Sequence, residues 1–145
     1  MRFLRLLLVG LIWGGVLDAQ EFPTRSAAQD AVAGCLAGSG QEECLLRYLT
    51  RLQMQLQQVY TELAGTAQGR WQSPAQEWLA KSQAAWTDFR NTSCEYESRL
   101  AAPAGSRTVR MQCQISMTVE RGSYLKRFAK KERRGVGLPM NAPSS

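Results

Sequence analysis

Apolar residues recur at intervals of three and four over long stretches of this chain, and nothing alternates in the manner of a strand. From Gln41 to about Ala67, Leu45, Leu49, Leu52, Leu56, Val59 and Leu63 form one stripe. Gln53, Gln55 and Gln57 fall mostly off it, as an amphipathic helix requires. Gly65 and Gly69 mark the end of that helix. Before it, the alanine-rich stretch from Ser26 to Ala37 predicts a short helix, closed by the Gly38-Ser39-Gly40 turn. After it, Ser73-Pro74-Ala75-Gln76 is a start signal: a cap serine, a proline at the first helical position and a capping-box glutamine. The third helix runs from there to about Leu100, with an apolar face expected from Trp78 or Leu79, Trp86, Phe89, Tyr96 and Leu100. Ala101 to Gly105 is a turn. A fourth helix is expected from about Arg107 to Lys131, with Val109, Met117, Tyr124 and Phe128 facing inward. The predicted class is all-α: antiparallel helical hairpins forming a small three- to four-helix domain over residues 20–132, stapled by two disulfides.

The two ends read differently. Arg2 and Arg5, the apolar run Leu6 to Leu17 and the polar Asp18-Ala19-Gln20 have the layout of a secretory signal over residues 1–19. The run is shorter than the roughly 20 residues of a comfortable membrane span. Residues 133–145, with Gly137, Pro139 and Pro143, read as a disordered tail. Val32-Ala33-Gly34-Cys35 has the look of a lipidation box, but Asp18, Glu21, Arg25 and Asp30 interrupt the apolar segment that should abut the cysteine. The expected product is therefore soluble and secreted, periplasmic or extracellular.

Export would place Cys35, Cys44, Cys94 and Cys113 in an oxidising compartment, where they read as two disulfides. Metal binding has little support, with no histidine in the chain and no short C-x-x-C pair. Cys94 and Cys113 are equidistant from the centre of the third turn, and Cys35 and Cys44 from the centre of the first. Positions symmetric about a hairpin turn face each other, so local pairing is favoured among the three connectivities.

Charge adds a direction. The chain carries 18 basic and 12 acidic side chains, and losing Arg2, Arg5 and Asp18 with the leader leaves a product near +5. From Arg121 to Arg134, Arg121, Lys126, Arg127, Lys130, Lys131, Arg133 and Arg134 face only Glu120 and Glu132. Basic residues late in a helix complement its dipole, but this many exceed that need and suit an anionic surface such as an envelope lipid or glycan. Nucleic acid is excluded as a partner by export. Without histidine, acid–base chemistry would fall to carboxylates such as Asp88, Glu95 and Glu97, which read instead as the solvated face of their helix. No catalytic constellation and no cofactor site is expected.

Gln83, Trp86, Phe89, Arg90 and Cys94 lie along neighbouring strips of the third helix. This segment resembles the Q-x-x-W-x-x-[FY]-R-[DN]-x-x-C motif of the LprI-type lysozyme-inhibitor family. Upstream, Cys35 and Cys44 followed by Leu56 to Tyr60 are similar to a family cysteine pair and L-N-x-x-Y, with Gln57 where asparagine is usual. Downstream, Gly105-Ser106, Cys113, Thr118 and Arg121 follow the family's Gly-Ser turn and C-x-x-x-x-T-x-x-R. The resemblance covers about residues 30–128 and implies a non-catalytic binding protein acting on a lysozyme or another glycan hydrolase. The family's named inhibitor is a lipoprotein; without a usable lipidation box, surface anchoring is not implied here.

The same residues have structural roles to fill. Arg90 is expected in an ion pair, with Glu62 on the second helix or Glu95 on its own, or else gripping a partner's carboxylate. Trp71, Trp78 and Trp86 are expected to pack rather than to stack on sugars. Since many lysozymes are basic, an inhibitor would need an acidic face, and Glu42, Glu43, Glu62 and Glu77 are the candidates.

Overall fold

The computed structural model describes residues 21–70 and 74–133, with side chains over 21–65 and 74–130. The expected leader, Trp71, the cap serine Ser73 and the tail from residue 134 lie outside the described residues. Helix α1 spans Arg25–Ala37, α2 Gln41–Arg70, α3 Pro74–Leu100 and α4 Ser106–Arg133. Pro103–Gly105 forms a single 3-10 turn ahead of α4. Among the described residues there is no strand, and none of the helices is long and apolar enough to cross a membrane.

Local chemistry explains the ends. Thr24 caps α1, its hydroxyl accepting the Ala27 amide at 3.2 Å. Gly40, at φ +71°, takes the left-handed conformation that joins α1 to α2. Cys35–Cys44 then staples that turn, and Cys94–Cys113 joins α3 to α4, each with Cα atoms 5.5 Å apart. Both are the local pairings expected from symmetry about the turns. Closing a loop in this way typically contributes about 2–4 kcal/mol.

Helix α4 lies at the centre, packed mainly on α2, next on α3 and also against α1. The α2 stripe is buried as read: Leu45, Leu49, Leu52, Leu56, Val59 and Leu63 all lie in the core. They meet Met111, Ile115, Val119, Leu125 and Ala129 of α4. This corrects the inward face expected of α4. Of Val109, Met117, Tyr124 and Phe128, only Phe128 packs on the core; Val109 and Met117 are partly buried and Tyr124 is exposed. A central helix is covered on several sides, so its buried positions do not form one narrow stripe.

The correction to α3 is larger. Leu79 and Trp86 pack against the core, but Trp78, Phe89, Tyr96 and Leu100 are all exposed. The fully buried positions of this helix are instead Arg90, Cys94 and Ser98. Helix α3 is thus turned by roughly a third of a revolution from the face that its large apolar residues suggested.

The lead-in before α1 also contributes to packing. Phe22 is buried in the core, with its ring lying over Gly122 of α4. A methyl group at position 122 would overlap that ring. Gly122→Ala is therefore expected to destabilise the domain by about 1–3 kcal/mol, despite alanine's better helix propensity. In a Phe22→Ala background the same change should gain up to about 1 kcal/mol, since only the propensity remains. Urea unfolding of the four proteins of this cycle measures the change of sign.

Candidate functional site

The α3–α4 seam gathers five of the motif residues. Gln83, Trp86 and Arg90 are spaced by three and four on α3, and Thr118 and Arg121 by three on α4, so each set points one way. Arg90 is only 7% exposed. Its Nη1 donates to Thr118 Oγ1 at 3.3 Å, while Nε and Nη2 donate to Asn91 Oδ1 at 3.2 and 3.0 Å. Its guanidinium carbon lies 5.0 Å from the centre of the Trp86 ring. Thr118, fully buried, passes its own hydroxyl hydrogen to the Gln114 carbonyl at 2.6 Å. Burial lowers the Arg90 pKa from its ordinary value, yet a guanidinium stays charged.

The ion pair expected for Arg90 does not form. Glu95 sits about 140° around the helix from Arg90. It is held by Arg99 on α3 and Arg110 on α4. Among the described residues Arg90 makes no ion pair with a carboxylate, and neutral oxygens and an indole face satisfy it instead.

Arg121 approaches the same indole from α4. Its Nε donates to Gln83 Oε1 at 3.0 Å and its Nη2 to Ser82 Oγ at 2.9 Å. The guanidinium lies 5.7 Å from the Trp86 ring centre and 5.5 Å from that of Tyr124. Arg127 approaches the Tyr124 ring at 5.6 Å. Cation and ring therefore alternate from the buried Arg90 through Trp86, Arg121 and Tyr124 to the exposed Arg127. Desolvation lowers the Arg121 pKa, and the nearby Tyr124 works in the opposite direction.

Trp86, Arg121, Tyr124 and Arg127 line an open groove of about 550 Å³ together with Val119, Ser123 and the Arg25–Glu120 ion pair of α1 and α4. Neither Arg121 nor Arg127 has a carboxylate in an ion pair among the described residues. The groove thus presents two guanidinium groups close to aromatic rings, an arrangement suited to holding a carboxylate or phosphate.

The remaining motif residues fall elsewhere. Leu56 is in the core and Tyr60 is partly buried against it. Phe89 faces solvent, away from the seam. Among the basic residues expected to bind a partner, Arg127 lines the groove and Lys130 is exposed farther along α4, while Lys126 is partly buried. Lys131 and Arg133 continue the helix, but their side chains, and Arg134, lie outside the described residues. The expected acidic face is largely neutralised: Glu42 pairs with Arg107, Glu43 with Arg47 and Glu77 with Lys81.

Sequence reasoning missed Tyr124 and Arg25 as members of the groove. Arg121, Tyr124 and Arg127 recur every three residues, a helical R-x-x-Y-x-x-R signal for one exposed edge. Arg25 carried no such signal, because its place depends on how α1 docks.

Replacing Arg90 by lysine should cost about 1–2 kcal/mol, since an ammonium cannot reach Asn91 and Thr118 while lying flat on Trp86. Urea unfolding with both disulfides intact measures it. Arg121→Lys, at a half-exposed position, should cost less.

The family model described as "Lysozyme inhibitor LprI" matches residues 23–125. No curated protein and no solved structure matches the chain.

Proposed function

The chain belongs to the lysozyme inhibitor LprI family, and from that premise we propose that it is a secreted, non-catalytic protein that blocks a lysozyme or related glycan hydrolase by direct contact. The observation that carries this reading is the groove of Trp86, Arg121, Tyr124 and Arg127. Glycan hydrolases place two carboxyl groups on either side of the bond they cleave, so their clefts are acidic even where the whole enzyme is basic. Stacked arginines without carboxylates of their own complement such a cleft. The long-range repulsion between two basic proteins slows their encounter without opposing the docked contact. Two disulfides and a rigid α3–α4 seam hold the arginines in place before binding, which lowers the entropy that binding must offset.

A second reading rests on a different observation. The family match ends at Leu125, while the basic residues Lys126, Arg127 and Lys130 continue along α4 beyond it. That extension suits an anionic envelope surface, lipid or glycan, and such docking weakens steeply with salt.

Assays of c-type, g-type and phage-type lysozymes with the oxidised product, at low and physiological salt, test the first reading. Stoichiometric inhibition of at least one enzyme is expected. Arg127→Glu and Tyr124→Ala should each weaken it by about tenfold or more without changing helicity. No inhibition at several-fold excess, together with salt-sensitive binding to anionic vesicles, would favour the second reading instead.

A further inference from the structure

A second hollow, of about 310 Å³, opens between α1 and α4. Arg25, at the start of α1, meets Glu120 of α4, and the hollow follows both helices away from that pair, to Leu36 on α1 and Gln112 on α4. The alanine-rich sequence of α1 leaves this space open, because Ala28 and Ala33 stand where larger side chains would fill it. Among the lining residues Ala28, Ile115 and Val119 are buried, and Val32 and Leu36 are half-buried. Polar side chains such as Gln29 and Ser116 are exposed at its edge. Such a lining, apolar within and polar at the rim, is that of a small-molecule site.

The hollow adjoins the arginine groove, since Arg25 and Val119 line both. From Val119 the apolar hollow runs about 10 Å along α4 to Gln112, and the groove runs about 12 Å the other way to Arg127. One trough therefore has an apolar half and a cationic half. In the cationic half Arg25, Arg121 and Arg127 stand against Glu120, which Arg25 already holds. Arg121 and Arg127 are left to meet an anion from outside the chain. An extended saturated chain of about eight to ten carbons spans the roughly 10 Å of the apolar half. A head group at the Val119 end of that chain lies within about one helical turn of Arg121. Guanidinium groups grip carboxylate and phosphate oxygens alike.

We infer that the trough binds a single-chain anionic amphiphile of about eight to ten carbons, its tail between α1 and α4 and its head against Arg121 and Arg127. Neither half alone selects this ligand; their junction at Arg25 and Val119 does. The inference goes beyond contact with a hydrolase and does not depend on it.

The experiment is a nuclear magnetic resonance titration of the oxidised, leader-free protein with saturated carboxylates from hexanoate to tetradecanoate, below their micelle concentrations. Affinity should rise about twofold to fourfold per added carbon as apolar area is buried, then level off near decanoate, where the hollow is full. The amide signals of Val32, Ala33, Ser116 and Arg127 should move together. Octanoate and octyl phosphate should both bind, the tighter of them naming the preferred head, and uncharged octanol should bind at least about tenfold more weakly than either. Ser116→Trp from α4 and Ala33→Trp from α1, both at exposed positions, should each plug the hollow and weaken decanoate binding at least about tenfold, with helical circular dichroism unchanged. Arg127→Glu should weaken decanoate and leave octanol unaffected. No binding, affinity that climbs without levelling off, octanol equal to octanoate, or plugged variants that bind as wild type would each overturn the inference. So would shifts confined to Trp78, Phe89 and Tyr96, the exposed aromatic residues of α3.

Discussion

Arg90 and Phe89 are neighbours on one helix, about 100° apart, and α4 can cover only one of them. The structure covers the arginine. A buried guanidinium costs several kcal/mol to desolvate unless its donors are met, so the seam around it is built for that purpose. Thr118 and Asn91 supply oxygens and Trp86 supplies a ring face. Cys94, one turn further on, is fixed on the same side by its disulfide to Cys113. Together these fix the rotation of α3, and with it the outward position of Trp78, Phe89, Tyr96 and Leu100.

The rest of the surface follows from that rotation. Trp86 lies close to both Arg90 and Arg121, and Tyr124 and Arg127 extend the series along α4. The electrostatic character of the groove is thus a consequence of internal packing. Arg121 is positioned by Gln83 and Ser82, both neutral, so its charge remains available to a ligand. Elsewhere Glu43 and Glu77 pair with Arg47 and Lys81 one turn away, and Glu42 pairs with Arg107 of α4. On the proposed reading, this charge pattern presents one basic edge to an acidic cleft while the rest of the surface stays mixed.

Some of this was legible in the sequence, for identifiable reasons. The apolar stripe of α2 follows one side of the helix, and Leu45, Leu49, Leu52, Leu56, Val59 and Leu63 all proved buried, while Leu46 off that stripe is exposed. The cysteines were readable because symmetry about a short turn leaves little freedom in how a hairpin closes. Helix α3 was misread because apolar size outweighed the polar residues of its other side. The covered face holds Arg90, Ser98 and Cys94, and no hydrophobicity pattern marks it. Helix α4 was misread because it is covered on several sides, and Gly122 and Thr118 count among its buried positions. Phe22 lies just before α1, outside the periodic stretches, and its partner is a glycine that offers no apolar signal at all.

Nuclear magnetic resonance of the arginine side chains tests the central claim most directly, because it reads Arg90 itself. If Arg90 is buried against Trp86 and bonded to Asn91 and Thr118, its Nε–H signal should be slowly exchanging and shifted by the indole ring current. The exposed Arg99 serves as the internal reference. An Arg90 signal that exchanges as fast as that of Arg99 and shows no ring-current shift would contradict the account. Helix α3 would then be turned the other way, with its aromatic line inside.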